Sequence, residues 1–573
     1  MRVPTLPFAL LLLFVLANLK TVVGQLETLQ RYDIVISEIM AAPSPAIGLP
    51  DAEYVELHSR RPVPCVLSGW KLQIGSVRKS LPEIRLDSCG YAIVVATKNK
   101  DLFERIPIQV CTVSSLSITD GGQTLVLYDN NDEAVHAVAF KRKWHTESIK
   151  QSGGWSLEMK DENLPCHSSG NWDSSVAPEG GTPGAPNSIR CVSEDYVSPF
   201  IERVTLIDSM TLRVFLSEPV RPTFPLAPRD FTIAPDATIV QVSEVPPFFT
   251  ALDLSLSQPL QPGTVYKVCL PPAVCDCAGN AVACPDCISC GIAEKPQPFD
   301  LVINEVLSHA KDGADADFIE VYNRSSRIID LKEVKIGSGG DTIPKKAVVA
   351  ASQGLQLMPQ GYCALCKNKA LTMSQYDCPD HNALYDCDSL PSFAAESGVV
   401  FLTDRSLRTI DRFSYSEDMH YPKLLTTAGV SLERVSPSLV TQRSDNWHSA
   451  SSTAGFATPG FRNSQASNET AATGLAVSPA VISPDNDGFE DYAEISVSMP
   501  AGENRLSVRI FNQYGFLVRH LVNNELCSQE ALFRWDGTDD QKQTVPSGMY
   551  VVTVQYWNLD GKSRRFKKVV SVR

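Results

Sequence analysis

Apolar positions along this chain come in short runs separated by Gly, Pro, Asn and Asp, as in YAIVVAT (91–97) and TLVLYDNND (124–132). Such runs are too short and too β-branched for helices and predict strands. The stretch Asp129-Asn130-Asn131-Asp132 has the composition of a hairpin turn. Elsewhere the pattern has period two. Leu212, Val214 and Leu216 alternate with polar or exposed neighbours, as do Leu252, Leu254 and Leu256, and then Tyr266, Val268 and Leu270. That alternation predicts half-buried sheet. The expected fold class is all-β.

The strand pattern is stated twice. Residues 33–40 read DIVISEIM and 51–57 read DAEYVEL; residues 300–307 read DLVINEVL and 315–321 read DADFIEV. Asp51 corresponds to Asp315, Glu53 to Asp317, Tyr54 to Phe318 and Glu56 to Glu320. Copies this far apart are a domain duplication rather than a solenoid. The parallel continues from VLSGWKL (66–72) to DLKEVKI (330–336). It ends with WSLEM, GNWDSS and GTPGAPN in one copy against VSLERV, DNWHSA and ATPGFRN in the other. This ordered set resembles the lamin-tail domain, which implies an immunoglobulin-like β-sandwich over about 33–190 and 300–465. The second copy lacks the Gly69-Trp70 pair, so its core there must be filled differently.

Residues 197–292 form a separate unit whose D-x-A-G-N stretch (Asp276 to Asn280) resembles bacterial Ig-like repeats of surface-layer proteins. Residues 466–475 read as a Ser/Ala/Thr-rich linker. The last unit, 476–573, carries S-P-D-N-D-G-F-E-D, Y-G-x-x-V, W-D-G and P-S-G-x-Y. In that order these resemble the Ig-like domain of flagellar hook-capping proteins and the C-terminal domains of gliding-motility-associated proteins exported by Bacteroidota. The resemblance implies a type IX secretion sorting domain, hence export across an outer membrane, with outer-membrane secretion proteins as candidate partners. The expected architecture is four tandem Ig-like β-sandwich domains: 25–192, 197–292, 298–465 and 476–573.

Composition narrows the function. Hydrophobic content of 43% is ample for packed cores, while a formal charge of −14 and a pI near 5.2 argue against nucleic-acid or anionic-lipid binding. Arg2, the apolar run Leu6 to Leu19 and Val22-Val23-Gly24 read as a secretory signal peptide over 1–24. No Cys follows the cleavage point, against a lipid anchor, and no later stretch is apolar enough for a transmembrane helix. The 16 cysteines of an exported chain read first as disulfides. Two sets also have metal-like spacing: Cys275, Cys277, Cys284, Cys287 and Cys290, and Cys363, Cys366, Cys378 and Cys387. Zinc is the alternative there.

The remaining candidate chemistry is sparse. Asp485, Asp487 and Asp491 place carboxylates at intervals around Gly488, a pattern that suits a structural calcium or an Asx-rich turn. The repeated acids are Glu38, Glu53 and Glu56 and their counterparts Glu305, Asp317 and Glu320. Alternation puts Glu38 on the face of Ile34 and Ile36, and Glu56 on that of Tyr54. Inward-pointing acids read as anchors of a loop backbone, or as a hydrolytic pair. No H-E-x-x-H, G-x-S-x-G or P-loop occurs, the nine histidines stand singly, and Trp172 and Trp447 read as core plugs. The expectation is a non-catalytic surface or secreted scaffold or adhesin contacting protein or glycan. An extracellular hydrolase and a component of the type IX machinery are the alternatives, and the periplasm is the alternative location.

Overall fold

The computed structural model describes residues 29–573 except 167–168, 222–225, 284–285, 341, 388, 467–472, 486–489, 501 and 560. The expected signal peptide, Asp487 and Cys284 lie outside the described residues.

The chain is all-β, and the two copies share one topology. In the first, a six-stranded sheet runs in the order Trp172–Ser174, Leu157–Met159, Ile34–Met40, Tyr54–Ser59, Tyr91–Ala96, Gln109–Val113. In the second the order is Trp447–Ser449, Leu432–Arg434, Leu301–Leu307, Phe318–Asn323, Tyr362–Cys366, Leu384–Asp386. Neighbours are antiparallel except the last pair of each sheet, which is parallel. A four-stranded sheet faces each one: Ala134–Lys141, Gly122–Tyr128, Lys71–Ile74 and Val77–Ser80 in one copy, Thr409–Ser416, Ser397–Asp404, Val334–Ser338 and Lys346–Val349 in the other.

Every residue of Ile34–Met40 and of Leu301–Leu307 is buried. A strand covered on both faces reads as a nearly continuous apolar run. One face meets the main core, with Ile34, Ile36, Val55, Leu57, Trp70 and Leu127 in the first copy. The other meets a smaller cluster of Met40, Tyr54, Ile93, Val95 and Phe103 beneath loops. In the second copy Val334 stands where Trp70 does, and Phe413 stands where the first copy has Val138. Phe413 stacks on Trp447 at 3.6 Å, in line with Ser338 rather than Val334 along the sheet. Both tryptophans of the repeated N-W pair, Trp172 and Trp447, are buried plugs.

The middle unit packs the sheet Ile201–Asp208, Thr211–Leu216, Ala251–Leu256, Ile239–Glu244 on a three-stranded one, and Leu212, Val214 and Leu216 all point inward. The C-terminal unit opens with Gly474–Ser478 and closes around Ile495, Val508, Trp535 and Val552. Disulfides join Cys166 to Cys277, tying the first copy to the middle unit, and Cys269 to Cys287 within that unit. Of the two cysteine sets with metal-like spacing, the second lies wholly among the described residues. Cys363 and Cys387 belong to the main core of the second copy and Cys366 and Cys378 to the opposite cluster, so the four do not converge.

Polar contacts close the seams. Arg31 Nη2 donates to Glu244 Oε1 at 2.9 Å, Arg203 Nη1 to the Gln353 carbonyl at 2.6 Å, and the Ser449 amide to Glu503 Oε1 at 2.8 Å. Among the described residues no helix is long and apolar enough to cross a membrane.

Candidate functional site: a buried glutamate ladder

The repeated acids meet because of one irregularity in the sheet. Ile36 pairs with Leu57, but the next register pair is Glu38 with Glu56, so Ser37 is an extra residue, a β-bulge. The second copy repeats it: Ile303 pairs with Val321, Glu305 with Glu320, and Asn304 is the extra residue. The bulge reverses the expected alternation. Glu38 lies on the face of Tyr54 and Met40, not on that of Ile34 and Ile36, because one inserted residue shifts every later side chain to the other face.

On its other side Glu38 pairs with Glu158, and Glu305 with Glu433. Each sheet therefore carries three glutamates side by side on adjacent strands, Glu158-Glu38-Glu56 and Glu433-Glu305-Glu320, all fully buried. Glu158 and Glu433, in the repeated S-L-E stretch, were visible in the sequence but not singled out. Their signal was the same tripeptide at the same place in both copies. Glu53 and Asp317 stay off the ladder, each accepting one backbone amide, from Ile118 at 3.0 Å and Ala310 at 3.1 Å.

The ladder grips the T-P-G-x-x-N loop. Glu38 Oε1 accepts the Thr182 amide at 2.9 Å, the Ser156 hydroxyl at 2.5 Å and the Tyr54 hydroxyl at 2.6 Å. Glu56 accepts the Gly184 amide at 2.7 Å and the bulged Ser37 hydroxyl at 2.6 Å. Glu158 accepts the Thr182 and Ser188 hydroxyls at 2.9 and 2.8 Å. The second copy repeats these contacts with two changes: Phe318 stands at the place of Tyr54 and offers no hydroxyl, and Asn304 stands at the place of Ser37. Thr458 N donates to Glu305 at 2.9 Å, Gly460 N to Glu320 at 2.6 Å, Asn304 Nδ2 to Glu320 at 2.7 Å and Ser464 Oγ to Glu433 at 2.8 Å. The last residue of the loop completes the clamp. Asn187 Nδ2 donates to the Ser37 and Met159 carbonyls at 3.0 and 2.8 Å, and Asn463 Nδ2 to those of Asn304 and Arg434 at 2.9 and 2.8 Å.

Burial raises the central acids, helped by the flanking carboxylate: Glu38 to about 7 and Glu305 to about 8. Glu56 and Glu320 are pushed well above the usual carboxylate range by the same causes. Glu38 Oε2 is buried without a partner, which favours the neutral acid, whereas Glu305 Oε2 accepts the Thr458 hydroxyl at 3.1 Å. The six carboxylates are buried and bonded to the chain's own backbone and hydroxyls. A general acid and base must reach substrate and water, and these oxygens face a closed loop.

The histidines are less scattered than their spacing suggested. His145 and His420 each stand eleven positions before the serine that binds the central glutamate, Ser156 or Ser431. Their Nδ1 atoms lie 2.9 Å from Ser174 Oγ and 3.1 Å from Ser449 Oγ. Of the candidate calcium ligands, Asp485 and Asp491 are described, and Asp485 Oδ2 accepts the Ser483 hydroxyl at 3.4 Å.

A family model described as the CHU_C Type IX secretion signal domain matches residues 476–572. No curated protein matches the chain. Among solved structures, surface layer protein SbsC (domains 1-6) is 12% identical over 66% of this chain and 54% of that one, TM-score 0.16. Dimeric latent PorU from Porphyromonas gingivalis is 9% identical over 94% of this chain and 34% of that one, TM-score 0.14. PorZ, a surface component of the type-IX secretion system of the same organism, is 11% identical over 91% and 69%, TM-score 0.15. The chain thus spans about half of the SbsC structure and a third of PorU. Scores this low bear on neither activity nor partners.

Proposed function

We propose that this chain is an exported, non-catalytic scaffold or adhesion protein that holds two lamin-tail-like sandwiches apart on a bacterial Ig-like spacer, four Ig-like domains in all. Its C-terminal secretion signal domain directs it to the cell surface or the medium. The observation that supports the non-catalytic reading is the ladder. The acids repeated in both copies are consumed in fastening the chain's own loops, as structural carboxylates are. Two similar modules at a held separation gain avidity for a repetitive protein or glycan target if both engage together. Calcium at Asp485, Asp487 and Asp491 belongs to this proposal as a structural ion. A chelator should then lower the unfolding midpoint of the C-terminal unit.

The test is surface labelling of producing cells with the full chain and with residues 476–573 deleted. Labelling that vanishes with the deletion is expected; equal labelling sinks the export reading. Turnover of a glycan or peptide that disappears in a folded Glu38→Gln or Glu305→Gln variant would replace the non-catalytic reading by a hydrolase.

A further inference from the structure

Between the second copy and the C-terminal unit lies a cleft of about 580 Å³, walled by Lys311, Tyr376, Lys423, Leu425, Phe456 and Arg505 among others. That volume falls within the range of about 300–1,000 Å³ found for small-molecule sites, and junctions between domains are where such sites gather.

The two copies align without a gap from His145/His420 to Glu158/Glu433, so the cleft can be compared with the same place in the first copy. Ser148 of the first copy becomes Lys423, and Lys150 becomes Leu425. Lys150 folds inward: its Nζ donates to the Ser175 carbonyl at 3.0 Å, pairs with Glu147 at 2.9 Å and lies 4.7 Å from the Trp155 ring centre. Leu425 has no such attachment and stands fully exposed on the rim.

A third change is the most telling. The backbone carbonyl that accepts the Ser156 amide belongs to Gly180, with φ of +92°. Its counterpart, accepting the Ser431 amide, is Phe456, with φ of +71°. An aromatic residue in the left-handed region is strained by about 1–3 kcal/mol, and such strain gathers at ligand sites. Here it places a ring in the cleft wall where glycine would have sufficed for the fold.

The charge of the cleft is equally specific. In a chain of net charge −14, three cations line one opening. Arg505 is held by the Asn524 and Lys423 carbonyls at 2.7 and 3.3 Å and lies 4.8 Å from the Tyr421 ring centre. Lys311 and Lys423 are exposed and, among the described residues, form no ion pair. Aromatic rings for the flat apolar face of a sugar, with cations for its acid groups, match one ligand chemistry.

We propose that this cleft binds an acidic oligosaccharide, its carboxylates on Lys311, Lys423 and Arg505 and a ring face on Phe456. The idea deepens the surface-display reading and rests on it only for where the ligand is met, since labelling can fail while binding holds, and the reverse. Calorimetric titration of the chain from residue 25 onward would use oligogalacturonate, acidic polysaccharide released from the producing cell's own envelope, a neutral glucan of equal length and polyglutamate. The expected result is binding of at least one acidic saccharide, weakened by salt, and none of the glucan. Lys311→Glu with Lys423→Glu, neither holding the fold, should cost tenfold or more. Phe456→Gly, which restores the residue of the first copy and relieves the strain, should cost at least threefold while the unfolding midpoint holds or rises. Which acidic saccharide binds tells an external polymer from the cell's own. Binding of neither, binding unchanged in both variants, or polyglutamate bound as tightly would overturn the proposal.

Discussion

The two copies solve one backbone problem with different chemistry. At the bulge, the amide of Ile36 or Ile303 leaves the ladder and needs an acceptor on the facing sheet. In the first copy His136 Nδ1 accepts it at 3.0 Å, which puts the ring proton on Nε2, 3.2 Å from the Pro165 carbonyl. In the second, Asp411 accepts it at 2.8 Å. A carboxylate there requires a cation, and the position of Met159 becomes Arg434, 3.4 Å from Asp411 and as deeply buried. Arg434 also donates to the Ile303 and Leu439 carbonyls at 2.9 and 2.7 Å. The lesson is that the hydrogen-bond account of the bulge is held constant, while the acceptor is free to be a neutral ring or half of an ion pair.

The largest expected effect comes from breaking the charged solution. Arg434→Met leaves Asp411 unpaired in the core and should destabilise the second copy by about 3–5 kcal/mol. Adding Asp411→His rebuilds the pair of the first copy and should recover at least half of that loss. Hydrogen exchange read peptide by peptide in each copy measures both, and a double variant no more stable than the single would mean that the two solutions are not interchangeable.

Next come the shared parts, where the copies should respond alike. Asn187→Ala and Asn463→Ala each strand two buried carbonyls and should cost about 1–3 kcal/mol in their own copy. Unequal losses would show that the clamp matters to only one of them.

Titration separates the copies again. The folded values of Glu38 and Glu305, about 7 and about 8, lie above the ordinary 4.5, so their contribution is complete below 4.5 and is lost as pH rises through 7 to 8. Both copies should show lower protection, relative to the intrinsic exchange rate at each pH, at pH 8.5 than at pH 5, and Glu305→Gln should flatten that trend in the second copy alone. On the acid side the sign reverses. Burial lowers His136 to about 4, below its ordinary 6.5, so the first copy loses stability as pH falls from 6.5 towards 4. The second copy has no titrating ring at that place. An acid limb for peptides around Ile36 no steeper than around Ile303 would contradict the assignment.

The smallest effect concerns the surface loop. Lys150→Leu, which imposes the residue of the second copy, should cost about 1 kcal/mol through the lost hydrogen bond. It should raise exchange across residues 146–154 without reaching the sheet.

Much of this was legible in advance. The duplicated strands, the T-P-G-x-x-N ending and the all-β class follow from periodicity and repetition, which need only local pattern. Placing Glu38 failed at one residue, since alternation carried from Ile34 through Ile36 assumes a regular strand. A polar residue in the middle of that apolar run, Ser37 in one copy and Asn304 in the other, was the sign of the bulge.

Sequence alone determined that the chain is a string of sandwiches with one of them duplicated, because burial on a sheet enforces a period that composition cannot hide. Only the tertiary structure decided that three glutamates distant in the chain form one ladder, that it holds a loop, and that His136 answers to Asp411. Those facts depend on which strands lie side by side, and strand order is set by contacts more than a hundred residues apart that leave no local trace.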